Sequence, residues 1–254
     1  MGQYWEFVNI DKRQSSGHLG KLGEFFTTRT CDDLIYLLAI PAVPLKTLST
    51  PPTRGVVAGA WAGDRIICLG DYADSWPDGV INDGDFLQTA SDVASDGAIE
   101  RSPQVFTESC RNIGSVNCGY EKRNSYPNDR VWALRNISKK LYVRSDGIPT
   151  VNNEKNLTYK AHDGLQGFPN FGRVLLANIV WSDDDSTSMS FSDVQGGWAG
   201  DRIDVHLMDD VAEELQEGGW KDISRQEVIT LYDIFVDEGD VEGDLPEEPK
   251  ASLE

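Results

Sequence analysis

Two eight-residue stretches hold the side chains in this sequence best suited to chemistry. Gly59-Ala60-Trp61-Ala62-Gly63-Asp64-Arg65-Ile66 and Gly196-Gly197-Trp198-Ala199-Gly200-Asp201-Arg202-Ile203 agree at seven of eight positions. Each sets an indole, a carboxylate and a guanidinium within five residues. Trp offers a stacking face, Asp accepts hydrogen bonds from hydroxyls, and Arg presents a planar fork that fits a carboxylate or phosphate. Such a trio suits a sugar, a nucleotide or an acidic metabolite. The candidate ligand-binding residues are Trp61, Asp64, Arg65, Trp198, Asp201 and Arg202, with His206 close behind the second copy.

The same residues also have an architectural reading, because a repeated fold repeats its core side chains whether or not both copies act. After the second copy, Ile203, Val205 and Leu207 alternate with Arg202, Asp204 and His206, the pattern of a half-buried strand. Parity then puts Asp201 on the core side and points Arg202 with Asp204 and His206. An inward carboxylate needs partners, and backbone N–H groups of the adjacent glycine turn are the expected ones. Trp61 and Trp198 become core anchors, and Gly63 and Gly200 supply unusual turn dihedrals.

Other landmarks recur in the same order. Trp5-Glu6-Phe7-Val8-Asn9-Ile10-Asp11-Lys12-Arg13 matches Trp132-Ala133-Leu134-Arg135-Asn136-Ile137-Ser138-Lys139-Lys140 as Trp-x-apolar-x-Asn-Ile-(Asp/Ser)-Lys-basic. A weaker match sets His18-Leu19-Gly20 and Gly23 to Phe26 against His162-Asp163-Gly164 and Gly172 to Leu175. The expected architecture is α+β: two tandem pseudo-symmetric αβ repeats packed into one globular unit around a mixed or antiparallel sheet. The repeats span 1–125 and 126–236, and an acidic disordered tail covers 237–254.

Strands are expected over 3–10, 65–69 and 203–207, with a hairpin over 131–136 and 140–144. Helical faces fall in 22–38, where Asp32 is a candidate cap and Pro41 a stop. Residues 85–94, 209–217 and 224–235 also read as helical, and 173–181 is a buried strand or helix that periodicity does not resolve. The eight acids between 71 and 100 read as a solvated surface segment that includes turn acids Asp71 and Asp74.

With 23 Lys and Arg against 42 Asp and Glu, the formal charge of -19 repels phosphate backbones and anionic lipid, so neither nucleic acid nor membrane is an expected partner. No export signal or membrane span is legible, and a cytoplasmic location is expected. Cys31, Cys68, Cys110 and Cys118 lack metal or redox spacing and read as reduced thiols. The glycosylation sequons at Asn136 and Asn156 matter only in a secreted protein.

Enzyme signatures are sparse. His18 and His162 sit beside glycine and His206 lies alone, without metal-binding spacing. The Asp92 to Gly97 stretch lacks two calcium ligands of an EF-hand loop. Neither a metal nor a cofactor is expected.

The opening Met1-Gly2-Gln3-Tyr4-Trp5, Val8 to Arg13, His18, Lys21-Leu22 and Trp61 to Ile66 with Gly70-Asp71-Tyr72 resemble an uncharacterised group of microbial proteins over mainly the first 75 residues. Leu134 to Ser138, Tyr142 to Arg144, Trp181-Ser182 and Trp198 to Arg202 resemble related fungal proteins, also uncharacterised. The resemblance implies an intracellular, fungal, globular protein and no particular activity. The expected function is binding of a small polar ligand or a protein partner at the junction of the two halves. The alternative is a hydrolase or transferase with its active site there.

Overall fold

The computed structural model describes residues 3–17, 20–27, 30–42, 57–86, 101–114, 126–127, 129–151, 157–159, 169–184 and 194–232. In chain order its strands are β1 (Trp5–Asn9), β2 (Gln14–Ser15), β3 (Asp64–Gly70), β4 (Arg111–Asn112), β5 (Trp132–Asn136), β6 (Leu141–Arg144), β7 (Thr150–Val151), β8 (Leu157–Thr158), β9 (Val180–Trp181), β10 (Arg202–Leu207) and β11 (Lys221–Asp222). The helices are α1 (Leu22–Thr27), α2 (Thr30–Leu38), α3 (Asp83–Phe86), α4 (Pro103–Ser109), α5 (Gly172–Ile179), α6 (Met208–Glu217) and α7 (Ser224–Thr230).

The fold is α+β around a mixed nine-stranded sheet. Its order is β11-β6-β5-β10-β3-β1-β2-β4, with β9 beside β3. β1 and β2 form a hairpin, as do β5 and β6, and the two share one local design. Asn9 Oδ1 accepts from the Lys12 amide at 2.8 Å, and Asn136 Oδ1 accepts from the Lys139 amide at 3.0 Å. This side-chain turn tightens each loop. Arg13 and Lys140 then take left-handed φ values of 48° and 52°.

β3 and β10 meet antiparallel at the middle of the sheet, with Arg65 opposite Arg202. The Gly63 amide donates to Ile203 O at 2.8 Å, and the Gly200 amide donates to Ile66 O at 2.9 Å. Beyond this contact the strands separate, and each gains a neighbour from a distant part of the chain. Cys68 of β3 pairs in parallel with Val180, directly after α5, and Val205 of β10 pairs in parallel with Ala39, directly after α2.

Leu37 O near the end of α2 accepts from the Trp61 amide, as Asn178 O near the end of α5 accepts from the Trp198 amide. Gly23 to Phe26 lies in α1, and Gly172 to Leu175 opens α5. The apolar run at 173–181 is helix and strand in succession, since α5 ends at Ile179 and β9 follows. Asp32 is no cap, because α2 already begins at Thr30.

Strand alternation sorts the sheet residues into layers. On one face Trp5, Phe7, Ile66, Cys68, Trp132, Leu134, Ile203 and Val205 pack with α1, α2 and α5 in the largest core, which also holds both motif tryptophans. On the other face Val8, Ile10, Ile67 and Leu69 pack under Phe86 of α3 and Phe106 of α4. That burial corrects the reading of 71–100 as wholly solvated, for Ala73 and Phe86 are buried. Farther along the same face α6 lays Val211 and Leu215 over Ala133. No helix among the described residues is long and apolar enough to cross a membrane. The tail from residue 237 and most of the expected helix at 85–94 lie outside the described residues.

Candidate functional site

Trp61 and Trp198 sit in the main core, fully buried and 3% exposed. Burying an indole of about 200 Å² contributes roughly 5 kcal/mol at about 25 cal/mol per Å². The Trp61 ring N–H donates to Gln14 Oε1 at 2.7 Å. Neither ring presents an open stacking face, so the architectural reading describes both.

The motif carboxylates find partners other than the expected glycine-turn amides. Asp64 Oδ2 accepts from Asn9 Nδ2 at 2.7 Å and pairs with the Lys12 ammonium. Asp201 Oδ2 accepts from Asn136 Nδ2 at 2.8 Å and pairs with Lys139 Nζ at 2.8 Å. The Asn and Lys of each repeated Asn-Ile-x-Lys segment are therefore the partners of the motif Asp on the adjacent strand. An amide donor and an ammonium satisfy a carboxylate better than two backbone N–H groups from a turn already bonded across the sheet. Asn136 is buried in this role, which removes its sequon from the surface.

The arginines lie on the opposite face and differ from one another. Asp11 Oδ2 accepts from the Arg65 amide at 2.9 Å, and Ser138 Oγ, at the matching turn position, accepts from the Arg202 amide at 2.9 Å. The Arg65 side chain is 17% exposed and donates to Asp11, to both oxygens of Asp85 and to Val80 O. Arg202 is 46% exposed and, among the described residues, reaches only Asp11 Oδ2, at 2.8 Å, and Gly63 O, at 3.0 Å. The Asp85 carboxylate holds the Arg65 proton more firmly than usual, though burial opposes it. Burial alone would raise the Asp11 and Asp85 carboxyls, but hydrogen bonds and the arginine charges outweigh it and hold both below the usual range.

His206 stands farther along β10 in a cluster that sequence reading only partly identified. Arg135 of β5 donates from Nε and Nη2 to the two oxygens of Asp204, both at 2.7 Å, and from Nη1 to Glu214 of α6 at 2.7 Å. The Arg135 guanidinium lies 5.3 Å from the centre of the Trp220 ring. His206 Nε2 is 3.3 Å from Asp204 Oδ2. Burial opposes ionisation of Asp204, yet Arg135 and His206 keep its carboxyl below the ordinary range.

Of the seven residues singled out from sequence, Arg65 and Arg202 come together directly, and His206 lies on their face of the sheet. The tryptophans and motif acids belong to the opposite face. Asp11, Asp85, Arg135 and Asp204 escaped notice as site residues. The visible signal was parity: Asp11 ends the repeated Asn-Ile segment, and Arg135 and Asp204 occupy outward strand positions beside one another. His18, His162 and Asp92 to Gly97 lie outside the described residues. Compared with protein-family models, curated proteins and solved structures, the chain has no match in any of the three.

Proposed function

We infer that the chain is a cytoplasmic binding protein built from two tandem αβ repeats, with its ligand contact where the repeats meet. Support for duplication comes from the like pairing of Asn9 and Asn136 with the motif acids, the reciprocal Gly63 and Gly200 bonds, and a sheet order that reads alike from both ends. Cys68 and Cys110 carry no disulfide, which suits a reducing compartment.

The observation that carries the binding reading is the inequality of the two arginines. Arg65 is spent on two carboxylates, whereas Arg202 keeps a half-exposed guanidinium whose orientation is fixed by Asp11 and Gly63 O. A pre-oriented fork with N–H groups still open to solvent suits a small acidic metabolite or an acidic side chain of a protein partner. The competing hydrolase or transferase reading has less support at this place. Its nearest carboxylates, Asp11 and Asp85, are both tied to arginine and held ionised.

The test is an NMR titration of the full chain with inorganic phosphate, citrate and glucose 6-phosphate, following the Arg202 side-chain N–H resonance. At least one anion is expected to shift it at millimolar concentration, and Arg202→Met is expected to fold and lose the response. Binding unchanged in Arg202→Met, or no shift with any of the three, overturns the assignment.

A further inference from the structure

The two hairpin turns meet the motif arginines differently. Alignment of the repeated Asn-Ile segments sets Asp11 against Ser138, and alignment of the motif copies sets Arg65 against Arg202. Each turn residue accepts from the main-chain amide of its arginine, at 2.9 Å in both cases. Asp11 also covers the arginine side chain. Its Oδ1 lies 2.8 Å from Arg65 Nε and 2.7 Å from Arg65 Nη2, along the edge that those two nitrogens share. Arg135 gives the same edge to Asp204, from Nε to Oδ1 and from Nη2 to Oδ2, both at 2.7 Å. A carboxylate sits side-on against this edge, because its two oxygens match two parallel N–H groups.

Arg202 is the exception among these three arginines. Both of its side-chain bonds leave from Nη1, one to Asp11 Oδ2 and one to Gly63 O. Among the described residues Nε and Nη2 have no acceptor, and the side chain is 46% exposed. Ser138 stands where Asp11 stands beside Arg65, but it brings a hydroxyl and no carboxylate, and it is exposed. Two bonds at Nη1 therefore aim the Nε–Nη2 edge, and the second turn leaves that edge unfilled.

Taking Arg202 as the ligand contact of the junction, we propose that its Nε–Nη2 edge is a site for a single carboxylate, which occupies the place that Asp11 fills on Arg65. The Ser138 hydroxyl proton has no acceptor among the described residues and is a further donor at the same turn. Asp11 and Asp85 balance the charges of Arg65 and Arg202, so the site offers a directional fork and no surplus positive charge. A monoanion that fits the fork is favoured there over a phosphate dianion, in a chain of formal charge -19.

The experiment follows the Arg202 Nε–H resonance of the full chain by NMR at neutral pH. The probes are propionate for a free acid, a blocked alanine peptide with one glutamate for an acidic side chain of a protein, and inorganic phosphate. At least one carboxylate probe is expected to move the resonance downfield, with a dissociation constant about fivefold or more below that of phosphate. The tighter of the two identifies the source of the carboxylate. Arg202→Lys keeps the charge and removes the fork, and is expected to weaken that probe about tenfold, read from the Gly63 and Ser138 amides. Ser138→Asp supplies the missing carboxylate from the chain itself. It is expected to melt no lower than the wild type, to move the Arg202 Nε–H resonance downfield without any probe, and to abolish binding.

Phosphate binding as tightly as either carboxylate leaves Arg202 an anion contact and overturns the carboxylate site. No response to any probe overturns both. Equal binding in Arg202→Lys, or undiminished binding in folded Ser138→Asp, overturns the carboxylate site alone.

Discussion

Arg65 and Arg202 stand directly opposite one another in the central antiparallel strand pair, and Asp11 accepts hydrogen bonds from both. Two like charges across a strand pair repel unless an anion lies between them. Asp11 is that anion, and Asp85 adds a second on the Arg65 side only. The junction therefore divides its two arginines into one that holds the structure and one that remains open.

That division predicts unequal stability losses. Arg65→Met removes the partner of two partly buried carboxylates and is expected to cost about 2–3 kcal/mol, within the range for losing charge-assisted hydrogen bonds. Arg202→Met is expected to stay within about 0.5 kcal/mol of the wild type, as exposed substitutions do. Urea unfolding of the two variants checks the difference, and equal losses would refute the asymmetry.

The Asn-to-Asp contacts predict matched losses at distant places. Asn9→Ala and Asn136→Ala each remove a buried amide that donates to a motif Asp and accepts from a hairpin amide. Each is expected to cost about 1–3 kcal/mol. The double variant should show near-additive loss if the sites are independent. A large loss at one site with none at the other would break the correspondence between the hairpins.

These contacts also show what the sequence made legible. The sequence located the second hairpin, the first strand with its turn, and both central strands, because each is specified by local residues: Asn and Lys at the hairpin turn, Gly before Asp, alternating apolar side chains along the strand; the short strand β2 and the helix at 173–181 were not resolved by it. Parity correctly put Arg202 with Asp204 and His206. Legibility failed wherever the answer depends on a residue from far along the chain. The partners of Asp64 and Asp201 come from other strands, Asp85 reaches Arg65 from a separate helix, and the crossing of Ala39 to β10 and Val180 to β3 is a tertiary event. The indoles of Trp61 and Trp198 were legible as core anchors by size and as ligand faces by chemistry, and burial decides for the core.

The buried Arg135–Asp204 pair predicts strong coupling. Asp204→Ala leaves a buried guanidinium that, among the described residues, keeps only Glu214 and the Trp220 ring, and is expected to cost about 3–5 kcal/mol. Combining Arg135→Val with Asp204→Ile is expected to cost much less than either change alone, because both charges leave together. A double-variant cycle by thermal or urea unfolding measures this, and simple additivity would contradict the geometry.

Acid should weaken the fold through Asp11, Asp85 and Asp204, whose carboxyls are all held below the usual value of 3.8. A depressed folded-state value means that their contribution is present above about pH 4 and is lost as pH falls through the lower folded values. Glu227 works in the other direction, for burial raises its carboxyl above 4.5 and its contribution declines as pH rises through that higher value. Stability measured from pH 2 to 7 is expected to drop below pH 4, and less steeply in the double variant lacking Arg135 and Asp204. An unchanged acid slope there would mean that Asp204 is not depressed.

The two motif glycines yield the sharpest contrast. Gly63 and Gly200 share left-handed φ values of 79° and 80°, so alanine at either position carries a backbone penalty of about 1–2 kcal/mol. Their surroundings differ. A β-carbon on Gly63 would meet nothing nearer than the tip of Ile137 at 4.0 Å, whereas one on Gly200 would run into the Val80 side chain. Gly200→Ala must therefore displace the segment whose Val80 carbonyl also accepts from Arg65, adding about 1–3 kcal/mol for overpacking. Gly200→Ala is expected to lower the melting temperature clearly more than Gly63→Ala, and adding Val80→Ala to Gly200→Ala should recover part of the loss. Equal effects of the two alanines, or no recovery with Val80→Ala, would mean that the contact between the second motif turn and Val80 does not constrain the junction.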